Sequence, residues 1–595
     1  MRSGVLWLVL LLLAACDGAV PRLTVTPDRL TLWAEGQSAR LELREEGGER
    51  VLAADRWQSL DERVVAVDAE GRVVARGAGE TEVLAWRDGR SARARVVVDP
   101  DGVTLNGRIF YADRLYDAQG LTGEQRLRPL RHARWAVVDE AGNLRLQGTT
   151  DGEGRFDLGA LVPLGLRLVV YSEADGVSVL DPERAAPYAV SLPLEGVGTT
   201  PLEWRLEQVE LPLGAFNILD TLLYGREFVA QITQTPLPPL AAYWAPAGSS
   251  GTYYCTGAAG QCPQGEGIYV LEGWGDSDAF DDDVLWHEFG HFLSHKLSRD
   301  SSPGGCHFLQ SLDLDLRLAW SEGWGDFLPA AVKDWLEATQ PGGSSLAEGA
   351  ATSLYVDTDG SGPALLSFDV AGASSYYRYA SNEIAVAALL WQLRQRYGMA
   401  AIWRVLEGYL PIAQGPVNLE TLWDGWLVLN PPGGAILTLE NLWGAREIFY
   451  RNDEFEDQDD PNAPRLLAPG SSEWRTLYGP GDVDIAAVYL TAGQSVVIRT
   501  SELGNGADTE LRLYAPDGSL AAVNDDDPAA PPHWDYDPLC AEYRAINDGL
   551  RLVSRVEFTA VQSGVHRIEV STTRDPEPYP STGRYGHYWL HVESP

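Results

Sequence analysis

The chain has 595 residues, which is enough for about four domains of ordinary size. Acidic side chains outnumber basic ones by 85 to 46, and the resulting net charge of −39 argues against nucleic acid as a partner, because phosphates would be repelled. A hydrophobic share of 45% is typical of a globular protein, and the acidic net charge favours a soluble surface protein or one that uses Ca2+.

Residues 1–16 are a predicted targeting segment. Their apolar run from Val5 to Leu13 is too short to cross a membrane and is followed by no stop-transfer pattern. The segment ends Leu-Ala-Ala-Cys16, which resembles the lipobox of bacterial lipoproteins, whose cysteine is lipidated and becomes the new N-terminus. The alternative is an ordinary signal peptide with an incidental cysteine. The resemblance implies an exported protein that is lipid-anchored through Cys16, with inner and outer membrane both open.

Residues 17–208 read as two β-sandwich modules, because short β-rich runs alternate with Gly and Asp turns. In residues 17–100, the stretch from Ser59 to Val83 resembles bacterial Ig-like domains of the intimin and invasin type. In residues 101–208, the phrase Thr-Asp-Gly-Glu-Gly-Arg-Phe resembles the transthyretin-like (carboxypeptidase regulatory-like) module. Neither module presents a chemical motif, so we expect them to form a stalk or an adhesive spacer.

Residues 209–450 have a different character, with predicted helices that begin with an amphipathic one at 214–229. A predicted strand, Gly267–Glu272, precedes the most informative motif of the chain. The strand is either an interior strand or a sheet edge that offers its backbone to an extended peptide. The sequence leaves both possibilities open.

The cysteines agree with export. Cys255 and Cys262 flank a short loop and are predicted to form a disulfide. Cys306 and Cys540 have no evident partners, and the absence of a Cys-x-x-Cys pair argues against a zinc site made of cysteines.

The motif is His-Glu-x-x-His at residues 287–291, inside a predicted helix over 281–295. Residues four apart share one helix face, so His287 and His291 can reach one metal ion. Glu288 lies next to the first histidine, where it can hold the water that a hydrolytic zinc site activates. The alternative is a buried helix whose histidines only satisfy hydrogen bonds.

A second predicted helix over 316–328 supplies the missing ligand. Glu322 and Asp326 are four residues apart, so that Glu322 can complete a site of two histidines and one glutamate. Asp326 can accept the outer N–H of a ligating histidine and fix its tautomer. An acidic solvated face is the alternative, but Trp320 and Trp324 indicate a buried helix, and buried carboxylates need partners.

This arrangement resembles the gluzincin metallopeptidases, which include thermolysin and fungalysin, over residues 209–450. The resemblance implies that His287, His291 and Glu322 bind one catalytic Zn2+, that Glu288 is the general base, and that Asp326 supports a ligand. The rival metzincin pattern requires Gly and His three and six residues after the second histidine. Those positions hold Ser294 and Leu297 here, so the metzincin pattern is absent.

Peptide hydrolysis also needs a donor for the oxyanion. Thermolysin-like enzymes use a histidine beyond the glutamate helix, but residues 308–532 contain no histidine. The stretch 374–391 resembles the corresponding helix start of fungalysin, with Tyr379 at the histidine position, and predicts Tyr379 as the donor. The neighbouring residues Tyr376, Tyr377 and Arg378 are alternatives, as is simple aromatic packing.

Residues 451–595 return to short strands with acidic turns. Their order closely resembles the bacterial pre-peptidase C-terminal domain, a β-sandwich that is often appended to secreted peptidases. Members of this type can bind Ca2+ through acidic loops, which would here involve Asp508, Asn524, Asp525 and Asp526. A solvated acidic turn is the alternative.

The predicted fold is therefore multidomain: two N-terminal β-sandwich modules, a central α+β zincin-type metallopeptidase domain, and a C-terminal β-sandwich. The predicted function is that of a surface-anchored zinc metalloendopeptidase, a monomer that acts on a protein or peptide substrate. The alternative is an adhesion or binding lipoprotein whose zinc domain is structural or inactive. That alternative predicts loss of Glu288 or of a ligand, and the chain retains all of them.

Overall fold

The computed structural model describes residues 21–195, 197, 201–208, 210–233, 235–245, 251–257, 262–273, 276–305, 307, 309–312, 314–358, 364–430, 436–479, 481–530, 552–572 and 584–595. The predictions for Cys16, Cys306 and Cys540 lie outside these residues. The chain forms two compact units. The first contains the described residues up to Phe110, Arg131–Tyr171 and Ala189–Arg205, and the second contains Tyr111–Leu130, Ser172–Tyr188 and the described residues from Leu206 onward.

The N-terminal third of the chain is built from β-strands. In chain order these are β1 (Leu23–Thr26), β2 (Arg29–Leu32), β3 (Ser38–Arg40), β4 (Glu42–Glu45), β5 (Arg56–Ser59), β6 (Val65–Val67), β7 (Arg72–Ala75), β8 (Gly79–Arg87), β9 (Arg90–Val98), β10 (Val103–Asp117), β11 (Gly120–Pro129), β12 (Arg134–Asp139), β13 (Leu144–Thr149), β14 (Arg155–Leu161), β15 (Leu166–Tyr171), β16 (Glu173–Ala174), β17 (Val177–Asp181), β18 (Ala186–Pro187), β19 (Ala189–Pro193) and β20 (Leu202–Leu206).

The first unit contains two groups of sheets. Strands β2-β9-β8-β5, β1-β4 and β3-β7-β6 form three small sheets around one apolar core. A four-stranded sheet, β13-β12-β15-β19, follows, and β10 pairs with both β14 and β20. Alternating burial along these strands, as in β9, places one face in the core and the other in solvent.

The rest of the chain begins with helices and ends with strands. In chain order the elements are α1 (Leu213–Ala230), β21 (Leu240–Ala245), β22 (Tyr253–Cys255), β23 (Gly267–Gly273), β24 (Asp276–Ser277), α2 (Asp282–Leu297), α3 (Leu316–Thr339), β25 (Leu354–Thr358), β26 (Ala364–Asp369), α4 (Glu383–Tyr397), α5 (Met399–Gly408), α6 (Leu419–Leu429), α7 (Ile436–Gly444), β27 (Arg465–Leu467), β28 (Ser471–Tyr478), β29 (Val483–Leu490), β30 (Ser495–Gly504), β31 (Thr509–Tyr514), β32 (Leu520–Asn524), β33 (Arg555–Thr559), β34 (Gly564–Thr572) and β35 (Tyr585–Glu593).

In the second unit, a mixed sheet with the order β16-β17-β21-β23-β22 supports the central helices. Strands β17, β21 and β23 run parallel, while the short edge strand β22 runs antiparallel to β23. The predicted module 101–208 thus divides between the two units, because β17 joins this sheet. Among the described residues, no helix combines the length and the apolar character needed to cross a membrane.

The C-terminal part of the second unit is sandwich-like. A five-stranded sheet, β27-β29-β34-β31-β32, and a four-stranded sheet, β28-β35-β30-β33, contribute to one apolar core. Its fully buried members include Val488, Ile498, Leu511, Ile568 and Val592. The described chain is therefore mostly β-sheet, with a central helical region and a C-terminal β-sandwich.

Candidate metal centre

Helix α2 begins where the sequence predicts it, because Asp281 caps it. The Asp281 carboxylate accepts hydrogen bonds from the backbone N–H groups of Asp283 and Val284, each at 3.1 Å. Asp283 is itself fully buried and pairs with Lys333 of α3 at 2.6 Å, while Tyr116 donates to it at 3.2 Å. This network fixes the start of the motif helix, so the turns that follow are held in position.

The three predicted ligands converge. His287 Nε2 lies 3.2 Å from Glu322 Oε2, and His291 Nε2 lies 3.4 Å from the same oxygen. The two Nε2 atoms are 3.1 Å apart. Helix α2 supplies both histidines and α3 supplies the glutamate, so packing between these two helices creates the cluster.

These distances fit a tetrahedral metal site. Zinc holds nitrogen and carboxylate oxygen at roughly 2.0 to 2.1 Å, so two ligands on a tetrahedron are about 3.3 to 3.4 Å apart. The three observed separations lie close to that value. Two histidine nitrogens that face each other and a carboxylate form a donor set that suits Zn2+. The residues present therefore fit the metal that the sequence predicts.

Outer hydrogen-bond partners orient both histidines. His287 Nδ1 lies 3.3 Å from Asp326 Oδ1, the partner that the sequence predicts. His291 Nδ1 lies 3.3 Å from Ser321 Oγ, which donates to Asp300 Oδ2 at 2.8 Å. Ser321 and Asp300 were not predicted. The position of Ser321 directly before Glu322 was the available signal, whereas Asp300 lies in a loop without a pattern.

Glu322 and the histidines around it shift the pKa values of one another. Burial opposes ionisation of Glu322, but the charge of His291, hydrogen bonds from His287 and His291, and the charge of His307 hold its pKa well below its usual value. Burial also opposes protonation of His287, but hydrogen bonds to Asp326 and Glu322 hold its pKa well above 6.5. Glu322 is therefore held in the carboxylate form, and a metal that binds here must displace the protons of the histidines.

Glycines allow the close approach of the helices. A Cβ atom on Gly325 would lie 2.6 Å from His287 Cε1, and one on Gly323 would lie 2.6 Å from the Glu383 carbonyl oxygen. In the sequence Glu-Gly-Trp-Gly-Asp at 322–326, the missing side chain of Gly325 leaves room for the His287 ring. That of Gly323 leaves room for α4.

Glu288 is buried beside the ligands and is held by the edge strand. The backbone N–H of Tyr254 in β22 donates to Glu288 Oε2 at 2.6 Å. Burial raises the pKa of Glu288, although the charges of His291 and His287 oppose the rise. The described strand β23 lies between β21 and β22, so over these residues β22 is the edge.

The β22 strand has two further ties. The Tyr254 hydroxyl lies 2.8 Å from His295 Nδ1, one helical turn beyond His291. Cys255, the next residue, forms a disulfide with Cys262. The predicted cysteine pair therefore lies beside the residue that holds Glu288.

A residue that was not predicted, His307, also lies at the cluster. Its Nε2 lies 3.6 Å from Glu322 Oε2, and its Nδ1 lies 2.7 Å from Glu383 Oε2. Burial lowers the pKa of His307, but the hydrogen bond to Glu383 outweighs it and raises the pKa to about 9. The resemblance to thermolysin-like enzymes places a donor histidine after Glu322, whereas His307 precedes Glu322 by fifteen residues.

Tyr379, the predicted oxyanion donor, packs at the C-terminal sandwich. Its ring lies 5.7 Å from that of His587, centroid to centroid, and its backbone N–H donates to the Arg446 carbonyl oxygen at 2.9 Å. Its φ of 71° is unusual for a tyrosine. The role predicted for Tyr379 stays a prediction.

The residues predicted to bind Ca2+ lie just before β31 and at or just after the end of β32, two strands that pair antiparallel. Asn524 Oδ1 accepts from the Arg555 backbone N–H at 2.6 Å, and Asn524 Nδ2 donates to the Asp526 carbonyl oxygen at 2.8 Å. Ser554 Oγ donates to the Asp525 carbonyl oxygen at 3.0 Å, and Asp508 is buried. Calcium binding by this group stays a prediction.

Comparison with known proteins identifies one domain. Residues 482–572 match the family model of the bacterial pre-peptidase C-terminal domain, which confirms that prediction over these residues. No curated protein matches the chain. The chain is similar to the solved pre-peptidase C-terminal domain of a Bacillus anthracis collagenase, at 13% identity and a TM-score of 0.16, over 22% of this chain and 98% of that one.

Two other solved structures are similar at the same level. One is PliG of Aeromonas hydrophila, a periplasmic inhibitor of g-type lysozyme, with 11% identity and a TM-score of 0.13 over 22% of this chain and all 100% of that one. The other is CorA, a surface-associated copper-binding protein of Methylomicrobium album, with 14% identity and a TM-score of 0.15 over 22% and 100%. Pre-peptidase C-terminal domains are typical of exported bacterial proteases such as collagenase, and this chain contains one at residues 482–572.

Proposed function

We propose that this protein is a zinc-dependent metalloendopeptidase of the gluzincin type. The observation that carries the proposal is the convergence of His287 Nε2, His291 Nε2 and Glu322 Oε2, with separations of 3.1 to 3.4 Å. Glu288, a carboxylate on the same helix as the histidines, lies buried beside them. A metal held by three side chains and accompanied by a general base is the arrangement of a hydrolytic zinc site.

In this proposal His287, His291 and Glu322 hold one Zn2+, which when bound supplies Lewis-acid polarisation of the scissile carbonyl and makes water a nucleophile near neutral pH. Tyr254 N–H holds Glu288 Oε2, so Oε1 of Glu288 takes the proton of the attacking water. Glu288 then returns this proton to the leaving amine. Burial raises the pKa of Glu288, which suits a base that must also act as an acid.

The C-terminal domain supports a protease setting, because domains of this type accompany exported bacterial proteases. Together with the lipobox-like sequence that ends at Cys16, it supports a peptidase that is exported and lipid-anchored at a bacterial membrane. The substrate class in this proposal is protein or peptide.

The proposal is tested with the chain from Asp17 onward, as wild type and as Glu288→Gln. Bound zinc is measured by elemental analysis, and cleavage of unfolded casein is measured with and without a chelator. We expect about one zinc per chain in both proteins and cleavage only in the wild type without chelator. Zinc in both proteins with no cleavage in either would favour a binding protein with a structural zinc site. A wild type without zinc refutes the metal centre.

A further inference from the structure

His307 and Glu383 form a pair at the edge of the candidate metal centre, outside the predicted ligand set. Glu383 is 1% exposed at its side chain, while 33% of the His307 side chain is exposed. Glu383 Oε2 holds His307 Nδ1 at 2.7 Å, so the other ring nitrogen, Nε2, is directed at the cluster and lies 3.6 Å from Glu322 Oε2. Nδ1 of His307 is therefore held by a buried carboxylate, while part of the His307 ring is accessible from solvent.

The loop that contains His307 is fixed to the start of α4. Asn382 Nδ2 donates to the carbonyl oxygens of Leu309 and Ser311 at 2.8 and 2.6 Å. Ser381 Oγ donates to the Leu312 carbonyl oxygen at 2.6 Å. The residues next to Glu383 thus hold the main chain just beyond His307, and Glu383 holds its side chain. A position that is fixed at both points is preorganised.

A donor in this position matches what peptide hydrolysis requires. Attack by water forms a C–O bond and converts the carbonyl π pair into a negative charge on oxygen. When the tetrahedral species collapses, the C–N bond breaks and Glu288 returns the proton to the amine. A preorganised N–H group that faces the developing charge lowers the barrier without being consumed.

We propose that His307, as an imidazolium whose Nδ1–H is held by the Glu383 carboxylate, donates its Nε2–H to the carbonyl oxygen of the substrate as that oxygen becomes negative, and that Glu383 is the residue that positions it. This inference rests on the proposed peptidase function and deepens it. It gives His307 the role that the sequence predicts for Tyr379. In this inference His307 does not bind the metal, because Glu383 holds its Nδ1 and its Nε2 donates to the substrate.

The test uses full chains with His307→Gln or Glu383→Gln, and with His591→Gln as the control. His591 lies in the C-terminal sandwich, where Ser472 and Ser501 contact it at 2.7 and 2.6 Å. Three quantities are measured: zinc affinity by chelator competition, kcat and KM on a fluorogenic peptide from a casein cleavage site, and affinity for N-phosphoryl-leucinamide by calorimetry. The phosphoryl group of this probe imitates the tetrahedral oxyanion.

We expect His307→Gln to lower kcat/KM by about 100- to 1,000-fold, the usual effect of removing one oxyanion donor. Probe affinity should fall by a similar factor, while zinc affinity stays within about threefold of wild type, because no ligand is lost. Glu383→Gln should lower kcat by roughly 10- to 100-fold with KM unchanged, since a misdirected donor impairs only the transition state. The control should match wild type in all three measurements.

Each other outcome overturns the inference. Weaker zinc binding in His307→Gln would make His307 a ligand. Unchanged kcat/KM and probe affinity in an active enzyme would remove His307 from catalysis but leave the proposed function intact. If kcat/KM and probe affinity fall in Tyr379→Phe and not in His307→Gln, the oxyanion donor is Tyr379. A wild type that binds zinc but neither cleaves peptide nor binds the probe overturns the proposed function together with the inference.

Discussion

Replacing Gly325 by alanine should abolish zinc binding at the candidate metal centre while leaving every predicted ligand in the sequence. Gly325 lies in α3 directly against the His287 ring. A Cβ atom there would lie 2.6 Å from His287 Cε1, 2.7 Å from Nε2 and 2.8 Å from Nδ1. The methyl group would thus occupy space that the ring of a predicted ligand fills.

The size of the effect follows from these contacts. Non-bonded heavy atoms rest about 3.5 to 4.0 Å apart, so the ring must move by roughly 0.9 to 1.4 Å from its closest contact. Zinc–ligand distances tolerate deviations of only about 0.2 Å. If the helices separate instead, overpacking costs about 1 to 3 kcal/mol of stability and Glu322 moves away from both histidines. Either response should lower zinc affinity by more than the roughly 10- to 100-fold that follows loss of an outer partner.

The assay is zinc affinity by chelator competition, with circular dichroism to verify the fold. Gly290→Ala is a matched control at the same contact between α2 and α3. Its Cβ would lie 3.3 Å from Trp324 Nε1 and 3.4 Å from Gly325 Cα, which requires shifts of only a few tenths of an ångström. We expect this control to stay within about threefold of wild-type zinc affinity. Wild-type affinity in Gly325→Ala would refute the assignment of His287 as a ligand.

Three further predictions concern the surroundings of the centre. Asp326→Asn should lower zinc affinity by about 10- to 100-fold in a folded protein, because the outer hydrogen bond of His287 weakens; chelator competition measures this. Asn505→Ala should lower the free energy of unfolding by about 1 to 3 kcal/mol, measured in urea, because the buried Ala380 N–H loses its acceptor. Burial and the charge of Arg378 lower the pKa of His587 from 6.5 to about 4. Below pH 6.5 the unfolded chain therefore binds the extra proton, and stability should fall by about 3 kcal/mol between pH 6.5 and 4. Urea titrations in which His587→Gln retained the same fall would contradict this assignment.

The helices of the candidate metal centre are predictable because their signals are local. The sequence places a helix at 281–295 and the structure has Asp282–Leu297, with Asp281 as its cap. The second helix begins at Leu316 in both. Spacing of four residues on a helix then brings His287 and His291 to one face, which needs no knowledge of the rest of the fold.

The contacts between distant segments were not predictable from local patterns. His307 lies in a loop without periodicity, and Glu383, which holds it, is 76 residues away in sequence. The sequence is compatible with β23 as either an edge strand or an interior strand. In the fold β23 is interior, because the shorter β22 pairs with its outer side and forms the edge. The resemblance to fungalysin suggests Tyr379 as a donor, but a local resemblance contains no information on the sandwich that packs against the Tyr379 ring.

The C-terminal domain is joined to the helical region by polar contacts at two points. Asn505, in the turn after β30, is fully buried and accepts from the Ala380 backbone N–H at 3.0 Å. Three residues further along the chain, Glu383 holds His307, which lies 3.6 Å from Glu322. At another point of contact Arg584 of the sandwich pairs with Glu420 and Asp424 of α6 at 3.3 and 2.6 Å.

These contacts distinguish a packed domain from one that hangs on a flexible linker. A tethered module could be altered without effect on the helices, whereas here the sandwich supplies an acceptor to a buried backbone group beside α4. Burial makes such a contact expensive to break, so the start of α4 and the sandwich should unfold together. The position of His307 therefore depends on residues on both sides of it in sequence, from the loop after α2 to the turn after β30.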